Sequence, residues 1–222
     1  MNVSAAVSEC HSCRLREMRS VPVPLAGSVP SPIGVAVVGD FPDAESEKRG
    51  KPFVGPAGRL LCESLRSSGI NPSECTFLYA VSCRPRTAEG RPRLAYNDEL
   101  DACTPNLALQ LKAAGARWTL IAGNTALRRF TPIPMTQAHG RPFDLKRERS
   151  DGPTGFAVYN PDAVLRSPQL KATFDEDIQR FAQIVAAGRW SLPDTCIVCA
   201  VEADPLMCDD RGFTFCVEHH LA

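Results

Sequence analysis

Short apolar runs alternate along the chain with longer mixed stretches, and glycines mark many of the boundaries. Gly34-Val-Ala-Val-Val-Gly39 is an unbroken, β-branched run between glycines, the pattern of a strand buried on both faces. Thr76-Phe-Leu-Tyr-Ala-Val81, Trp118-Thr-Leu-Ile-Ala-Gly123 and Phe156-Ala-Val-Tyr159 repeat that pattern. Leu60, Leu61 and Leu65 ahead of Gly69 predict a helix with one apolar face and a glycine stop. Helical spacing also runs from Asp98 to Ala114 and from Asn124 to Phe130, and Phe174, Ile178, Phe181 and Val185 predict an amphipathic closing helix between Pro168 and Gly188. Thr131 to Gly155 is the least regular stretch, and no internal repeat is visible.

Strands alternating with helices predict a three-layer α/β/α sandwich around a mostly parallel, four-stranded sheet. Functional loops in such a sheet gather at the carboxyl ends of the strands, which singles out residues 40–57, 83–97 and 160–168. A chain of 222 residues that is 44% hydrophobic buries one substantial core and a small appendage. The expected division is a main domain over 1–188 and a small module over 189–222. The 25 basic and 25 acidic residues cancel, so any nucleic-acid contact must come from a local patch. No run of about 18 apolar residues and no secretory signal occurs, so an intracellular, cytoplasmic protein with no membrane contact is expected.

Ten cysteines in such a chain point to metal ligation, because reducing conditions make stable disulfides uncommon. Cys10 and Cys13 form a CxxC pair, and Cys83 and Cys103 lie beside Arg84-Pro85 and Thr104-Pro105. Cys196 and Cys199 form a second CxxC, followed by Cys216-x2-His219. The second spacing is that of a short zinc knuckle, with Cys208 and His220 as competing ligands. About 30 residues cannot bury enough apolar surface to fold unaided, so zinc would supply the folding energy. Such knuckles bind DNA or a partner protein more often than they do chemistry. Cys62, on an apolar helix face, reads as a small buried hydrophobe.

Several motifs resemble, in order, those of the family 4 uracil-DNA glycosylases. They are Gly39-Asp-Phe-Pro42, Gly50-Lys-Pro-Phe-Val-Gly-Pro-Ala-Gly58, Cys83-Arg-Pro85, Cys103 and Asn160-Pro-Asp-Ala-Val-Leu-Arg166. The resemblance covers roughly residues 8–186 and implies a [4Fe-4S] cluster on Cys10, Cys13, Cys83 and Cys103. Spacing alone does not separate that cluster from zinc in the same tetrathiolate. The resemblance also implies a monomer that flips a base out of DNA and removes it by hydrolysis. Phe53 would stack the base, with Gly39 and Phe41 beside it, and Val164, Leu165 and Arg166 would supply an apolar wedge and a phosphate contact, joined by Arg84.

Three positions depart from the resemblance. Asp40 stands where the family has glutamate; a carboxylate survives to serve the sugar cation or a water, and Glu47 is a second acidic group in that loop. Tyr79 replaces the asparagine that reads the uracil edge, and a phenol cannot copy an amide's two-point contact. Asn160 replaces a histidine that donates to the base oxygen; loss of one such donor typically costs about 10²–10³ in rate. The expected activity is a slow, monofunctional glycosylase for uracil or another altered base, without a lysine nucleophile. The alternative is a catalytically silent DNA-binding relative that recruits a partner through the zinc module.

Overall fold

The computed structural model describes residues 2–145 and 154–188, together with two short paired strands near the C-terminus. In chain order the elements are α1 (Val3–Ser8), β1 (Ala26–Gly27), β2 (Val35–Gly39), α2 (Ala44–Arg49), α3 (Pro56–Ser67), β3 (Thr76–Tyr79), α4 (Asn97–Ala102) and α5 (Thr104–Ala114). They continue with β4 (Trp118–Ala122), α6 (Asn124–Leu127), α7 (Met135–Ala138), β5 (Pro142–Asp144), β6 (Thr154–Val158), α8 (Pro161–Arg166) and α9 (Lys171–Ala187). The C-terminal strands β7 (Met207–Cys208) and β8 (Thr214–Phe215) pair antiparallel.

The main sheet runs β1-β3-β2-β4-β6-β5 and has six strands rather than the four expected. The four inner strands are those the apolar runs predict, and all their mutual pairings are parallel. The two additions are antiparallel edges of two and three residues, β1 on β3 and β5 on β6. Strands so short carry no alternation of their own, and Pro142 at the start of β5 suits an edge, where a missing N–H leaves no gap in a ladder. The expected helix from Asp98 to Ala114 is two helices that meet at Cys103, the residue that caps both. Pro105 forces the break, since its ring cannot sit inside a continuing helix but suits a first turn.

Side-chain alternation along the inner strands divides the core into two layers. Ala36, Val38, Leu78, Ile121 and Ala157 face Leu107 and Leu111 of α5 together with Ala126, Leu127 and Met135. Val35, Val37, Phe77, Leu120, Phe156 and Val158 face Leu61 and Leu65 of α3 and Phe174, Ile178 and Phe181 of α9. Cys62 packs, partly buried, on the second layer. The helix α9 ends at Gly188 in the left-handed conformation, φ 63°, the residue at which the predicted closing helix stops.

After β2 the chain first pairs β3 on one side, then returns to place β4 on the other. This reversal opens a crevice beyond the carboxyl end of β2, the place where ligands bind in open parallel sheets. Among the described residues no helix is long and apolar enough to cross a membrane. The zinc ligands expected at Cys196, Cys199, Cys216 and His219 lie outside the described residues.

Candidate active site

A cavity of about 550 Å³ occupies that crevice, within the size range of small-molecule sites. Its wall is assembled from the ends of all four inner strands: Gly39 to Asp43 after β2, Tyr79 at the end of β3, Ala122 and Asn124 around the end of β4, and Tyr159 to Ala163 after β6. Phe53 and the pair Arg93 and Leu94 complete it from two loops.

Asp40 is a buried charged group of this wall, with only 8% of its surface exposed. Its Oδ1 accepts the Ala126 N–H at 2.7 Å, and its Oδ2 accepts the Asn160 side-chain amide at 2.7 Å. Burial pushes its pKa up to about 6, against the pull of the Ala126, Asn160 and Thr125 donors. Gly123 makes this approach possible, since a Cβ there would come within 2.4 Å of Oδ2. The same glycine sits at φ 125°, where side chains are strained.

Asn160 is used at both ends of its carboxamide. Oδ1 accepts the Asp162 N–H at 2.8 Å and caps α8, while Nδ2 donates to Asp40. An amide nitrogen carries two protons, so one remains to donate into the cavity. Asn160→Ala is expected to slow any excision by about 10²–10³ through loss of that donor. It removes a bond that lowers the Asp40 pKa, so the acid limb of the pH–rate profile should also move to higher pH. A lower plateau with an unmoved acid limb would separate Asn160 from Asp40.

Phe53 and Tyr79 form one aromatic stack, with ring centroids 5.0 Å apart and planes 16° from parallel. The Tyr79 hydroxyl accepts the Phe53 N–H at 2.9 Å and donates to Ser46 Oγ at 3.2 Å. Its one proton is therefore committed to the protein, and its ring takes one face of Phe53. Burial pushes the Tyr79 pKa to about 12, so the phenol stays neutral. Phe53 holds a left-handed backbone, φ 56°, which is rare outside glycine and gathers at functional sites. Gly39 lies under both rings, and a Cβ there would come within 2.5 Å of the Phe53 ring.

Residues 27–183 match the family model of the uracil DNA glycosylase superfamily. A type-4 uracil-DNA glycosylase of Pyrobaculum aerophilum is 30% identical over 181 residues, which cover 79% of this chain and 89% of the relative. The chain belongs to the uracil-DNA glycosylase superfamily. Further relatives carrying that type-4 name come from Thermotoga maritima, 32% identical over 80% of this chain and 90% of the relative, and Archaeoglobus fulgidus, 27% identical over 85% and 94%.

Several residues singled out in the sequence lie elsewhere in this superfamily member. Glu47 is absent from the cavity wall; it pairs with Arg86 and accepts the Val21 N–H at 3.1 Å, tying α2 to two neighbouring loops. Val164 is 2% exposed and belongs to the α3–α9 core layer, so it is not part of a wedge. Leu165, 46% exposed, is the projecting residue of that stretch, and Arg166 borders the cavity while paired with Asp162. The reason is helical: Val164 and Leu165 are adjacent in α8, so about 100° separates them and only one can face the core. Phe41 lines the cavity, whereas Arg84 lies outside its wall.

Cys83, Cys103 and Cys13 share one core layer, and Cys10 follows α1, which packs on α5 just beyond Cys103. Burial pushes Cys83 far up and Cys103 to about 11, and each is raised further by the charges of the other cluster candidates. Cys10 runs the other way; against its burial, the Ser12 hydroxyl and N–H lower it. These thiols are thus electrostatic neighbours. They do not converge as ligands of one ion do, and among the described residues no group of three or more His, Cys, Asp or Glu side chains does so.

Sequence reasoning missed Arg93, Leu94, Asn124 and Tyr159, all of which line the cavity. Tyr159 immediately precedes the Asn160 motif, and an arginine-rich loop announces Arg93. The pair His139–Asp177, 2.8 Å apart behind the Tyr159 ring, had no local signal, because 38 residues separate its members.

Proposed function

We propose that this protein is a monofunctional DNA glycosylase that hydrolyses the N-glycosidic bond of uracil or another deaminated or modified base. The observation that carries this reading is Asp40, a buried carboxylate in the cavity wall, hydrogen-bonded to Asn160 at 2.7 Å and neighboured by a stacked aromatic pair. A flipped base would lie on Phe53, the more exposed ring of the pair. As the bond from C1′ to the base nitrogen breaks, its electron pair leaves with the base, and the free Asn160 N–H stabilises the charge on the base oxygen. Asp40, ionised above pH 6 or so, stabilises the sugar cation and orients the water that adds at C1′, whose surplus proton ends on the departed base anion.

Cys10, Cys13, Cys83 and Cys103 would hold a [4Fe-4S] cluster, in which each thiolate binds a different iron. The family resemblance carries that assignment, and Cys83 and Cys103 share one core layer with Cys13 packed against it. When bound, the cluster has a structural role, fastening the N-terminal arm to the 83–103 loop that carries Arg93 and Leu94. Residues 189–222 would form a separate zinc-binding module on Cys196, Cys199, Cys216 and His219, available to DNA or a protein partner. Cys83→Ser is expected to bleach the brown anaerobic protein and lower the melting temperature of the main domain, whereas Cys216→Ser leaves both unchanged. The reverse pattern would show that the ligands are paired wrongly.

The direct test of function is single-turnover cleavage of oligonucleotides carrying uracil, hypoxanthine, xanthine or hydroxymethyluracil, with enzyme in excess and alkali to reveal abasic sites. Abasic product from one of them supports the glycosylase. Tight binding without product on every substrate supports the silent DNA-binding reading, which the committed Tyr79 hydroxyl and the Asn160–Asp40 bond give reason to keep.

A further inference from the structure

We propose that Leu94 is a second apolar finger, separate from Leu165, that packs into duplex DNA beside the flipped nucleotide. The proposal rests on the reading of the protein as a base-flipping glycosylase. Leu94 is 72% exposed, more than any other large hydrophobic side chain among the described residues, and it lies in the wall of the cavity. A single exposed leucine needs no explanation in general. This one differs in how it is held and in what surrounds it.

The loop behind Leu94 is clamped by its neighbour Arg93. That guanidinium donates to the Leu94 carbonyl at 2.8 Å, to the Arg86 carbonyl at 3.0 Å and to Glu99 Oε2 at 2.7 Å. Glu99 is fully buried and also accepts the Tyr96 N–H and Arg14 Nε. The Tyr96 ring lies under both guanidiniums, 4.0 Å from Arg93 and 4.8 Å from Arg14. On the inner side Ala95 is buried in the core. The leucine is thus presented by a fixed backbone and cannot fold back onto the surface, as a probe of a stacked duplex requires.

Charge complementarity names the occupant. Residues 84–94 contain Arg84, Arg86, Arg91 and Arg93 against one acid, Glu89, in a chain whose net charge is zero. Arg86 and Arg93 are neutralised by Glu47 and Glu99, while Arg84 and Arg91 have no carboxylate partner among the described residues. An apolar tip in the wall of a base-sized cavity, on a loop that also carries the carboxylate-free Arg84 and Arg91, fits a polyanion whose bases must be parted, and apolar wedges serve that purpose in proteins that unstack DNA. A single strand has no partner strand and little stacking to oppose flipping, so the finger contributes there very little.

The test is single-turnover excision of one altered base from matched duplex and single-stranded oligonucleotides. Leu94→Ala is expected to slow the duplex reaction on the order of ten- to a hundredfold and the single-stranded one by less than about twofold, with Leu94→Met retaining most of the duplex rate. An equal loss on both forms, or no loss on the duplex, overturns the proposal. A chemistry-free readout accompanies it: 2-aminopurine placed beside the altered base in the duplex brightens when its neighbour unstacks. If the unaltered protein excises nothing from either form, the glycosylase reading fails separately and the 2-aminopurine signal decides. Brightening that is lost in Leu94→Ala supports the finger; no brightening, or brightening that survives the substitution, overturns it.

Discussion

Asp40→Ala is expected to lower excision by about 10²–10⁴-fold on every base the protein accepts, since it removes the one buried carboxylate of the cavity wall among the described residues. The pH dependence of the unaltered protein should carry the same signature. With a pKa of about 6, Asp40 is protonated below that value, so the rate should rise through pH 6 and level off above it. The stability effect has the opposite direction. An acid whose folded pKa is raised above its unfolded value favours the folded state most when protonated, and that contribution is lost as pH climbs through the folded pKa. From 3.8 to about 6 the shift corresponds to about 3 kcal/mol, present below pH 4 or so and absent at neutrality. Denaturant midpoints of the protein and of Asp40→Ala, compared at both pH values, should show that difference narrowing in the substituted chain. A rate that is flat across pH 5 to 8 would remove Asp40 from the chemistry. The site would therefore hold its working carboxylate ionised at the expense of stability, a trade seen where function needs a strained group.

Tyr79→Asn should have the largest effect on stability and on base choice together. The ring is 5% exposed and stacked on Phe53, so truncation is expected to cost about 3–5 kcal/mol through the cavity and the lost contacts. It also frees one face of Phe53 and provides an amide able to make a two-point contact with a pyrimidine edge, which should shift the preference towards uracil. Tyr79→Phe separates ring from hydroxyl. It leaves the Phe53 N–H without its acceptor and should cost about 1–3 kcal/mol, yet the base preference should stay as it was, because the hydroxyl is bonded inside the protein. If Tyr79→Phe changes the preferred base, the hydroxyl reaches the substrate after all and the assigned bonding is wrong. Thermal melts and the base panel, run on both substitutions, give the answer.

Position 79 also marks where a sequence reading stops. The change from an amide to a phenol is visible in the chain and predicts an altered pocket, but not whether the ring blocks the site or supports its wall. That outcome depended on Ser46 and the Phe53 N–H, 33 and 26 residues away, which take both roles of the hydroxyl. Glu47 was legible as an acid in the right loop, yet a carboxylate's role depends on its neighbours, and here these are Arg86 and the Val21 N–H. Val164 and Leu165 are both apolar in the motif, and only the rotation of α8 sends one into the core and the other into solvent.

The chain by itself determined its four inner strands, its layered α/β class and its membership of a superfamily, because each depends on local apolar runs or on short motifs in fixed order. It likewise brought Asp40, Phe53, Tyr79 and Asn160 forward as a set, through the short motifs that resemble those of the family. Only the tertiary structure decided how those residues act on one another. The short edge strands, the Asn160–Asp40 bond, the clamp that presents Leu94 and the raised Asp40 pKa all join groups distant in sequence. Such contacts leave no periodic trace along a chain, because they follow from which surfaces meet when the two core layers close on the sheet.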